Sequence, residues 1–159
     1  MVTRGLLLDV AAGRGPLGHG DPVTVDDLER AAGAAGVRPE AGDAVLVHTG
    51  WMSSARADPA RYFAGEPGID VEAAAWLAAA DVALVGSDNY AVEVQPTPPE
   101  VMFPVHQLLM RDHGIPLLEN VVLSELVATG AVTFLFVATP LPLVGGTAGP
   151  ADAHRTHCR

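Results

Sequence analysis

Two polar residues, His106 and Glu119, stand within the mostly apolar segment VHQLLMRDHGIPLLEN, residues 105–120. A buried imidazole needs a hydrogen-bond partner for each ring nitrogen, and a buried carboxylate needs a cation, a metal ion or several N–H donors. The two side chains could therefore bind each other within the core, or bind a shared metal ion. Their spacing alone favours the core hydrogen bond, because a lone buried histidine is more often paired for structure than used as a ligand.

The elements predicted around these two residues would bring them close together. A helix is predicted from Val101 to about Arg111, and its i, i+3, i+4 pattern puts four residues on one core-facing side: Met102, His106, Leu109 and Met110. A short strand at 115–118 then leads to Glu119, and only the turn at 112–114 separates the two elements. We therefore expect the imidazole and the carboxylate to lie within reach of each other.

The alternation of short apolar runs with helical patterns predicts an α/β domain. Its central sheet should be largely buried and packed by helices, because the strand segments are nearly continuous apolar runs. The strands are predicted at residues 5–10, 43–49, 82–86, 115–118 and 132–138.

Two predicted helices carry clear end signals. The first should begin after Thr24, with Asp27 completing a capping box, and end at Gly36, where a left-handed residue is favoured. The second should begin after Asp70 and extend through Ala80.

Composition limits the location and the partners of the chain. The formal net charge is −10, with nine arginines and no lysine, which argues against nucleic acid or an anionic membrane surface as a partner. The single cysteine, Cys158, can form no internal disulfide, and neither a signal segment nor a membrane span is recognised, so a cytoplasmic protein is expected. A chain of 159 residues supports one domain, predicted over 1–150, with a polar tail at 151–159 that is expected to be disordered.

Trp51 and Asp88 follow predicted strands and are further candidates for substrate binding. Trp51 could line a substrate pocket, yet a tryptophan after a strand is as often a packing residue. Asp88 stands where α/β folds place site residues, and the alternative is that Asp88 and Asn89 only form a turn.

Six segments of the chain resemble, in order and in separation, the cyclase family, the metal-dependent hydrolases that include bacterial kynurenine formamidase and isatin hydrolase. The segments are RGLLLDVA (4–11), VTVDDLERA (23–31), GDAVLVHTGW (42–51), PGIDVEAAAWLAAADVALVGSDN (67–89), VHQLLMRDHGIPLLEN (105–120) and FVATPLPLVGGTAGP (136–150). The resemblance implies a cyclase-like fold of the swivelling β/α type.

The resemblance also implies a metal site and a reaction. By residue-by-residue matching, His106 would be a metal ligand or a proton shuttle, and Glu119 a metal ligand, with zinc or manganese as the cofactor. The implied reaction is hydrolysis of the amide or cyclic amide bond of a small molecule, as with N-formylkynurenine, by water activated on the metal.

One family motif is not found, because this chain begins at the LLLDV strand, before which the family carries His-x-Gly-Thr-His-x-Asp. The segment His19-Gly20-Asp21 repeats only the ending of that motif, and we expect it to be a surface loop. An N-terminally shortened fold with two metal ligands should hold metal weakly and hydrolyse its substrate slowly or not at all. The alternative is a non-catalytic protein that keeps the cyclase scaffold for small-molecule binding or assembly. Surface left uncovered in such a fold predicts a homo-oligomer.

Overall fold

The fold is built around a six-stranded sheet. The structure is a computed structural model that describes residues 1–97 and 99–156. Its strands in chain order are β1 Val2–Asp9, β2 Pro22–Val23, β3 Ala44–His48, β4 Gly68–Ile69, β5 Leu84–Ser87, β6 Leu117–Leu118, β7 Thr133–Pro140 and β8 Ala151–Thr156. The main sheet has the order β6-β5-β3-β1-β7-β8, while β2 and β4 form a separate pair. Strands β1, β3, β5 and β6 are parallel, and β7 and β8 are antiparallel to their neighbours. The five predicted strands are thus confirmed.

Short helices connect and cover the strands. They are α1 Val10–Arg14, α2 Val25–Ala35, α3 Met52–Ala57, α4 Pro59–Phe63, α5 Val71–Ala79, α6 Pro104–His106 and α7 Ser124–Ala128, and a π-helical stretch at Gln107–Asp112 continues α6. Across residues 1–97 and 99–156, no helix has both the length and the apolar content needed to cross a membrane.

The ends of α2 and α5 confirm the predicted capping signals. Thr24 and Asp27 form a complete capping box at the start of α2, and Gly36 ends that helix in the left-handed conformation. Asp70 caps α5 by accepting a hydrogen bond from the backbone N–H of Ala73 at 2.7 Å. These local interactions satisfy backbone groups that a helix end would otherwise leave unpaired.

Apolar side chains on both faces of the sheet are buried, which explains why the strand sequences are continuous apolar runs. One face packs against α2, α5 and the π-helical stretch through a large cluster that includes Leu6, Leu8, Val45, Val47 and Val85. The other face forms a smaller cluster in which Leu7, Leu46, Leu84, Phe134 and Phe136 contact Leu123 and Leu126. The helices therefore sit mainly on one side, and the segment around α7 covers the other.

The predicted helix at 101–111 differs from the structure, and so does its predicted buried face. Phe103 has a left-handed backbone with φ of 51°, so the helix begins only at Pro104 and Met102 lies outside it, 69% exposed. The π-helical hydrogen bonding that follows changes the angular spacing of residues, and Met110 is 44% exposed although Leu109 is fully buried. The buried face predicted from α-helical periodicity is therefore wrong for Met102 and Met110.

The predicted disordered tail is also corrected. Residues 151–156 form β8, which pairs with β7 from Pro140–Ala151 to Leu135–Thr156 and extends the sheet by one edge strand. Polar residues are compatible with an edge strand because one side of it faces solvent. Residues 157–159 lie outside the described part of the chain.

We predict that two glycine-to-alanine substitutions act in opposite directions. At Gly68 in β4, a Cβ atom would lie within 3.0 Å of the backbone of residues 92–94, so Gly68→Ala should lower the free energy of unfolding by about 1–3 kcal/mol. At Gly33 inside α2 the Cβ would meet nothing within 4 Å, so Gly33→Ala should raise stability by about 0.5–1 kcal/mol. Urea unfolding followed by circular dichroism measures both, and equal effects would contradict the packing described here.

Candidate functional site

A row of polar residues lies along one edge of the sheet, where neighbouring parallel strands end. Glu119 follows β6, Asp88 follows β5, His48 ends β3 and Asp9 ends β1. Because the strand order is β6-β5-β3-β1, these residues follow one another across the edge in that order. The carboxyl ends of parallel strands are the usual location of ligand sites in open α/β sheets.

The structure brings His106 and Glu119 together. The Nε2 atom of His106 lies 3.3 Å from Oε1 of Glu119, and the Nδ1 atom lies 2.5 Å from Oε1 of Glu93. The hydrogen bonds to Glu119 and Glu93 raise the pKa of His106 to about 9, although partial burial opposes the increase. The expected proximity is therefore present, and the role of both residues as metal ligands stays a prediction.

Glu93 is a site residue that sequence reasoning missed. Its side chain is 1% exposed, and its second oxygen, Oε2, accepts the backbone N–H of Val105 at 2.9 Å. Both oxygens of this buried carboxylate are thus engaged by the start of the helix that carries His106. The only signal in the sequence was an isolated glutamate in the run AVEV, residues 91–94.

Three residues with a left-handed backbone surround the His106 site, and two of them, Val92 and Phe103, are of types that avoid this conformation. Val92, Phe103 and Asn120 have positive φ values of 62°, 51° and 56°. Val92 precedes Glu93, Phe103 lies three residues before His106, and Asn120 follows Glu119. A β-branched or aromatic residue rarely adopts this conformation, and such strain persists only where surrounding contacts enforce it. The clustering supports a functional role for this region.

Asp88 is held beside His48 and opens onto a cleft. Its Oδ1 accepts hydrogen bonds from the backbone N–H and the hydroxyl of Thr49 at 2.8 and 2.7 Å, and its Oδ2 lies 3.8 Å from Nε2 of His48. The other ring nitrogen of His48 lies 2.7 Å from Asp9 Oδ1. The cleft measures about 520 Å³, and it is lined by Pro16, His48, Gly50, Met52, Ser53, Asp88, Val122, Leu123 and Ser124. Asp88 is therefore more than a turn residue.

Trp51 packs inside an aromatic cluster and is not part of the lining of that cleft. Its ring stacks on Tyr62 with centroids 6.2 Å apart, and Tyr62 in turn contacts Phe63 and Tyr90. The Tyr62 hydroxyl donates to Oδ1 of Asn120 at 2.6 Å, which connects the cluster to the residue after Glu119. Burial raises the pKa of Tyr62, so the hydroxyl stays protonated and remains a donor.

Glu66 is a second buried carboxyl near the site. Its oxygens accept the backbone N–H groups of Tyr90 and Ala91 at 2.6 and 2.7 Å. Burial raises the pKa of Glu66 to about 8, with smaller contributions from the charges of Glu119 and Asp88, although the two N–H donors act in the opposite direction. Burial therefore favours the protonated form of this carboxyl.

The donor atoms at His106 fit a divalent metal in kind. A neutral imidazole and a carboxylate are ligands that zinc and manganese accept, and a ligating histidine commonly has its other nitrogen held by a carboxylate, as Glu93 holds Nδ1 here. Within residues 1–97 and 99–156 no group of three or more His, Cys, Asp or Glu side chains is arranged to hold a metal ion. His106 and Glu119 thus fit as two ligands.

The His19-Gly20-Asp21 segment is a loop with an exposed histidine, as predicted.

We predict that Glu66 makes stability fall as pH rises. Its pKa in the folded chain is about 8 against an ordinary 4.5, so between these values the folded state binds more protons than the unfolded state, and stability decreases with pH. The loss should be on the order of 5 kcal/mol across the window. Glu66→Gln should flatten this slope in urea unfolding at a series of pH values, whereas the exposed Glu29→Gln should not. Identical slopes for the wild type and Glu66→Gln would contradict the assignment.

Comparisons with known structures agree on the fold. A solved structure described as a novel cyclase is 28% identical, with a TM-score of 0.86, and the match covers 99% of this chain and 54% of that one. Isatin hydrolase A from Ralstonia solanacearum is 25% identical, with a TM-score of 0.77 over 96% of this chain and 59% of its own. A structure described as a potential metal-dependent hydrolase with cyclase activity, at 24% identity and a TM-score of 0.70, matches 96% of this chain and 63% of its own, and supports the fold alone.

The chain therefore spans 54–59% of the length of the first two of these structures. No curated protein matches the sequence. The model of the family described as "Putative cyclase" matches residues 1–94, which is more than half of the chain and includes the Asp9, His48 and Asp88 positions of the polar edge. The chain belongs to the cyclase family.

Proposed function

We propose that this chain is a metal-dependent hydrolase of amide or cyclic amide bonds, in which His106 and Glu119 bind the metal. The observation that carries the proposal is the arrangement of the His106 ring, with Nδ1 held by the buried Glu93 and Nε2 directed at Glu119. Zinc or manganese bound there would polarise a carbonyl group and lower the pKa of a water molecule. The similarity to isatin hydrolase A supports the same reaction class.

The residues of the chain supply the surroundings for that chemistry. Glu119 offers a carboxylate that is 40% exposed and therefore accessible to a ligand, whereas Glu93 is fully engaged inside the fold. Asp88 and His48 give the neighbouring cleft a polar end, and its apolar lining suits the body of a small aromatic molecule. Asn120, oriented by Tyr62, places a polar amide beside Glu119. N-formylkynurenine, an aryl formamide or a cyclic amide such as isatin are the substrates that we propose. Asp88 is the candidate substrate contact in the cleft, whereas Trp51, the other residue predicted for this role, is buried against Tyr62 outside its lining.

We predict weak, metal-dependent hydrolysis that requires His106. Two protein ligands define a metal site poorly, so the purified chain should contain less than one equivalent of zinc or manganese, and turnover should be slow. Added metal should increase the rate, a chelator should abolish it, and His106→Ala or Glu119→Ala should remove both the metal and the activity. His113→Ala is the matched control, because His113 is an exposed histidine of the same segment.

Elemental analysis and assays with N-formylkynurenine, an aryl formamide and isatin measure these effects. Hydrolysis that is unaffected by a chelator and by His106→Ala would overturn the proposal. Metal binding with no turnover of any of these amides would favour the alternative, a cyclase scaffold used for small-molecule binding. Robust turnover with a full equivalent of metal would show that further ligands come from elsewhere in the chain or from a neighbouring subunit.

We propose that a second copy of the chain covers part of its apolar surface. Beside the His106 site, Val101, Met102, Phe103 and Met110 are 39–69% exposed, and an apolar group of this kind usually marks a contact surface. We also propose a cytoplasmic location, supported by the acidic composition and the single cysteine.

We predict a homo-oligomer whose stability depends on this apolar group. Light scattering at micromolar concentration should show more than one copy, and Met102→Glu should shift the protein towards the monomer because a charge at the contact opposes burial. Val144→Glu introduces the same charge at a fully exposed position and should leave the assembly unchanged. A strictly monomeric wild type would contradict the proposal.

A further inference from the structure

Glu93 contacts two groups that differ in their hydrogen-bonding capacity, a backbone N–H and an imidazole nitrogen. The backbone N–H of Val105 can only donate, so Oε2 of Glu93 must accept from it, at 2.9 Å. The other oxygen, Oε1, lies 2.5 Å from Nδ1 of His106, an atom that can donate or accept depending on where the ring carries its proton. A carboxylate has no proton to give, so this contact is a hydrogen bond only when the proton is on Nδ1.

We propose that Glu93 is a positioning residue that keeps the proton of His106 on Nδ1 and thereby reserves Nε2 as the nitrogen that exchanges a proton for a ligand. The tautomer assignment stands on the unequal contacts of the two ring nitrogens: Nδ1 lies 2.5 Å from the buried Glu93, whereas Nε2 lies 3.3 Å from Glu119, which is 40% exposed. Its consequence for metal binding rests on the proposed function of His106 and Glu119. In that setting Nε2, which faces Glu119 at 3.3 Å, is the atom with a free lone pair once the ring is neutral.

The surrounding structure holds Glu93 too firmly to follow the imidazole. Its side chain is 1% exposed, and its backbone bridges to Ile69, where Gly68 allows the close approach of residues 92–94. The preceding Val92 has a left-handed backbone with φ of 62°, a conformation that β-branched residues avoid. The position of the carboxylate is thus set by the fold, and the ring of His106 must adapt to it. Strain maintained at this point is consistent with a geometric role.

The glutamine variant separates this role from simple packing. In Glu93→Gln the amide oxygen must still face the Val105 N–H, because the alternative would point two donors at each other. The amide NH2 group then faces Nδ1 of His106, which can contact it only as an acceptor. The proton moves to Nε2, and the tautomer is inverted although the side chain keeps its size. Glu93→Asp retains an acceptor-only group and should keep the original tautomer.

Nitrogen-15 NMR of the imidazole, recorded without metal at a pH high enough to make the ring neutral, tests the assignment directly. The wild type and Glu93→Asp should show His106 protonated at Nδ1, and Glu93→Gln should show it protonated at Nε2. Titration with Zn²⁺ against a competing chelator should give an affinity about 10- to 100-fold lower for Glu93→Gln than for the wild type. Asp43→Asn is the control for losing a buried carboxylate, since Asp43 pairs with Arg4 and should leave the tautomer unchanged.

Each outcome decides a separate point. A wild-type ring protonated at Nε2 overturns the inference even if Glu93→Gln fails to fold, and so does a Glu93→Gln variant that keeps the proton on Nδ1. The expected tautomers together with equal Zn²⁺ affinities overturn the consequence for metal binding. The expected tautomers in a chain that hydrolyses no amide support the role of Glu93 while the proposed function fails.

Discussion

The site depends on the burial of two carboxyl groups, Glu66 and Glu93, which accept hydrogen bonds from backbone N–H groups and, for Glu93, also contact the imidazole of His106. Glu66 accepts from Tyr90 and Ala91, and Glu93 accepts from Val105. A buried carboxyl without partners costs several kcal/mol, so each of these contacts strongly favours one path of the chain. Together they fold the segment between β5 and α6 around acidic side chains and fix the start of the helix that carries His106.

This arrangement explains why strain is concentrated in the same region. The segment must bring N–H groups to two fixed carboxyls and then turn sharply into α6, and Val92 and Phe103 adopt left-handed backbones on the way. Each such residue costs of order 1–3 kcal/mol, which the buried hydrogen bonds offset. Asn89 adds to the same support by donating to the carbonyl of Pro67 and accepting from the N–H of Val92. The result is a histidine whose ring has one nitrogen committed to the fold and one available.

The sheet contributes a second constraint, which is topological. Parallel strands β6, β5, β3 and β1 all end at one edge, so Glu119, Asp88, His48 and Asp9 become neighbours although they are 31 to 110 residues apart in the sequence. Arginines form ion pairs with carboxylates outside this edge, as Arg4 does with Asp43, Arg14 with Asp27 and Arg111 with Asp112. The polar edge is therefore acidic, with the imidazoles of His48 and His106 placed between carboxylates, a setting that suits a cationic ligand.

The sequence by itself determined the features that arise from local chemistry. The apolar runs predicted the five strands found in the sheet, the capping box of Thr24 and Asp27 and the end at Gly36 set the limits of α2, and the short turn after the helix placed His106 near Glu119. The order of six segments indicated the cyclase family, to which the chain belongs. These features can be predicted from the sequence because capping, turn formation and burial on both faces of a sheet each depend on a few neighbouring residues.

Only the tertiary structure decided the partners of His106 and the conformation around it. Glu93 is separated from His106 by a proline-rich connection without regular periodicity, so no local pattern indicated that its carboxylate would meet Nδ1. Likewise, the left-handed Phe103 and the π-helical stretch exposed Met102 and Met110, and pairing with β7 made a strand of 151–156. In each case a contact between distant parts of the chain determined the conformation. Such a contact outweighs local preference because leaving a buried polar group or a sheet edge unpaired costs free energy.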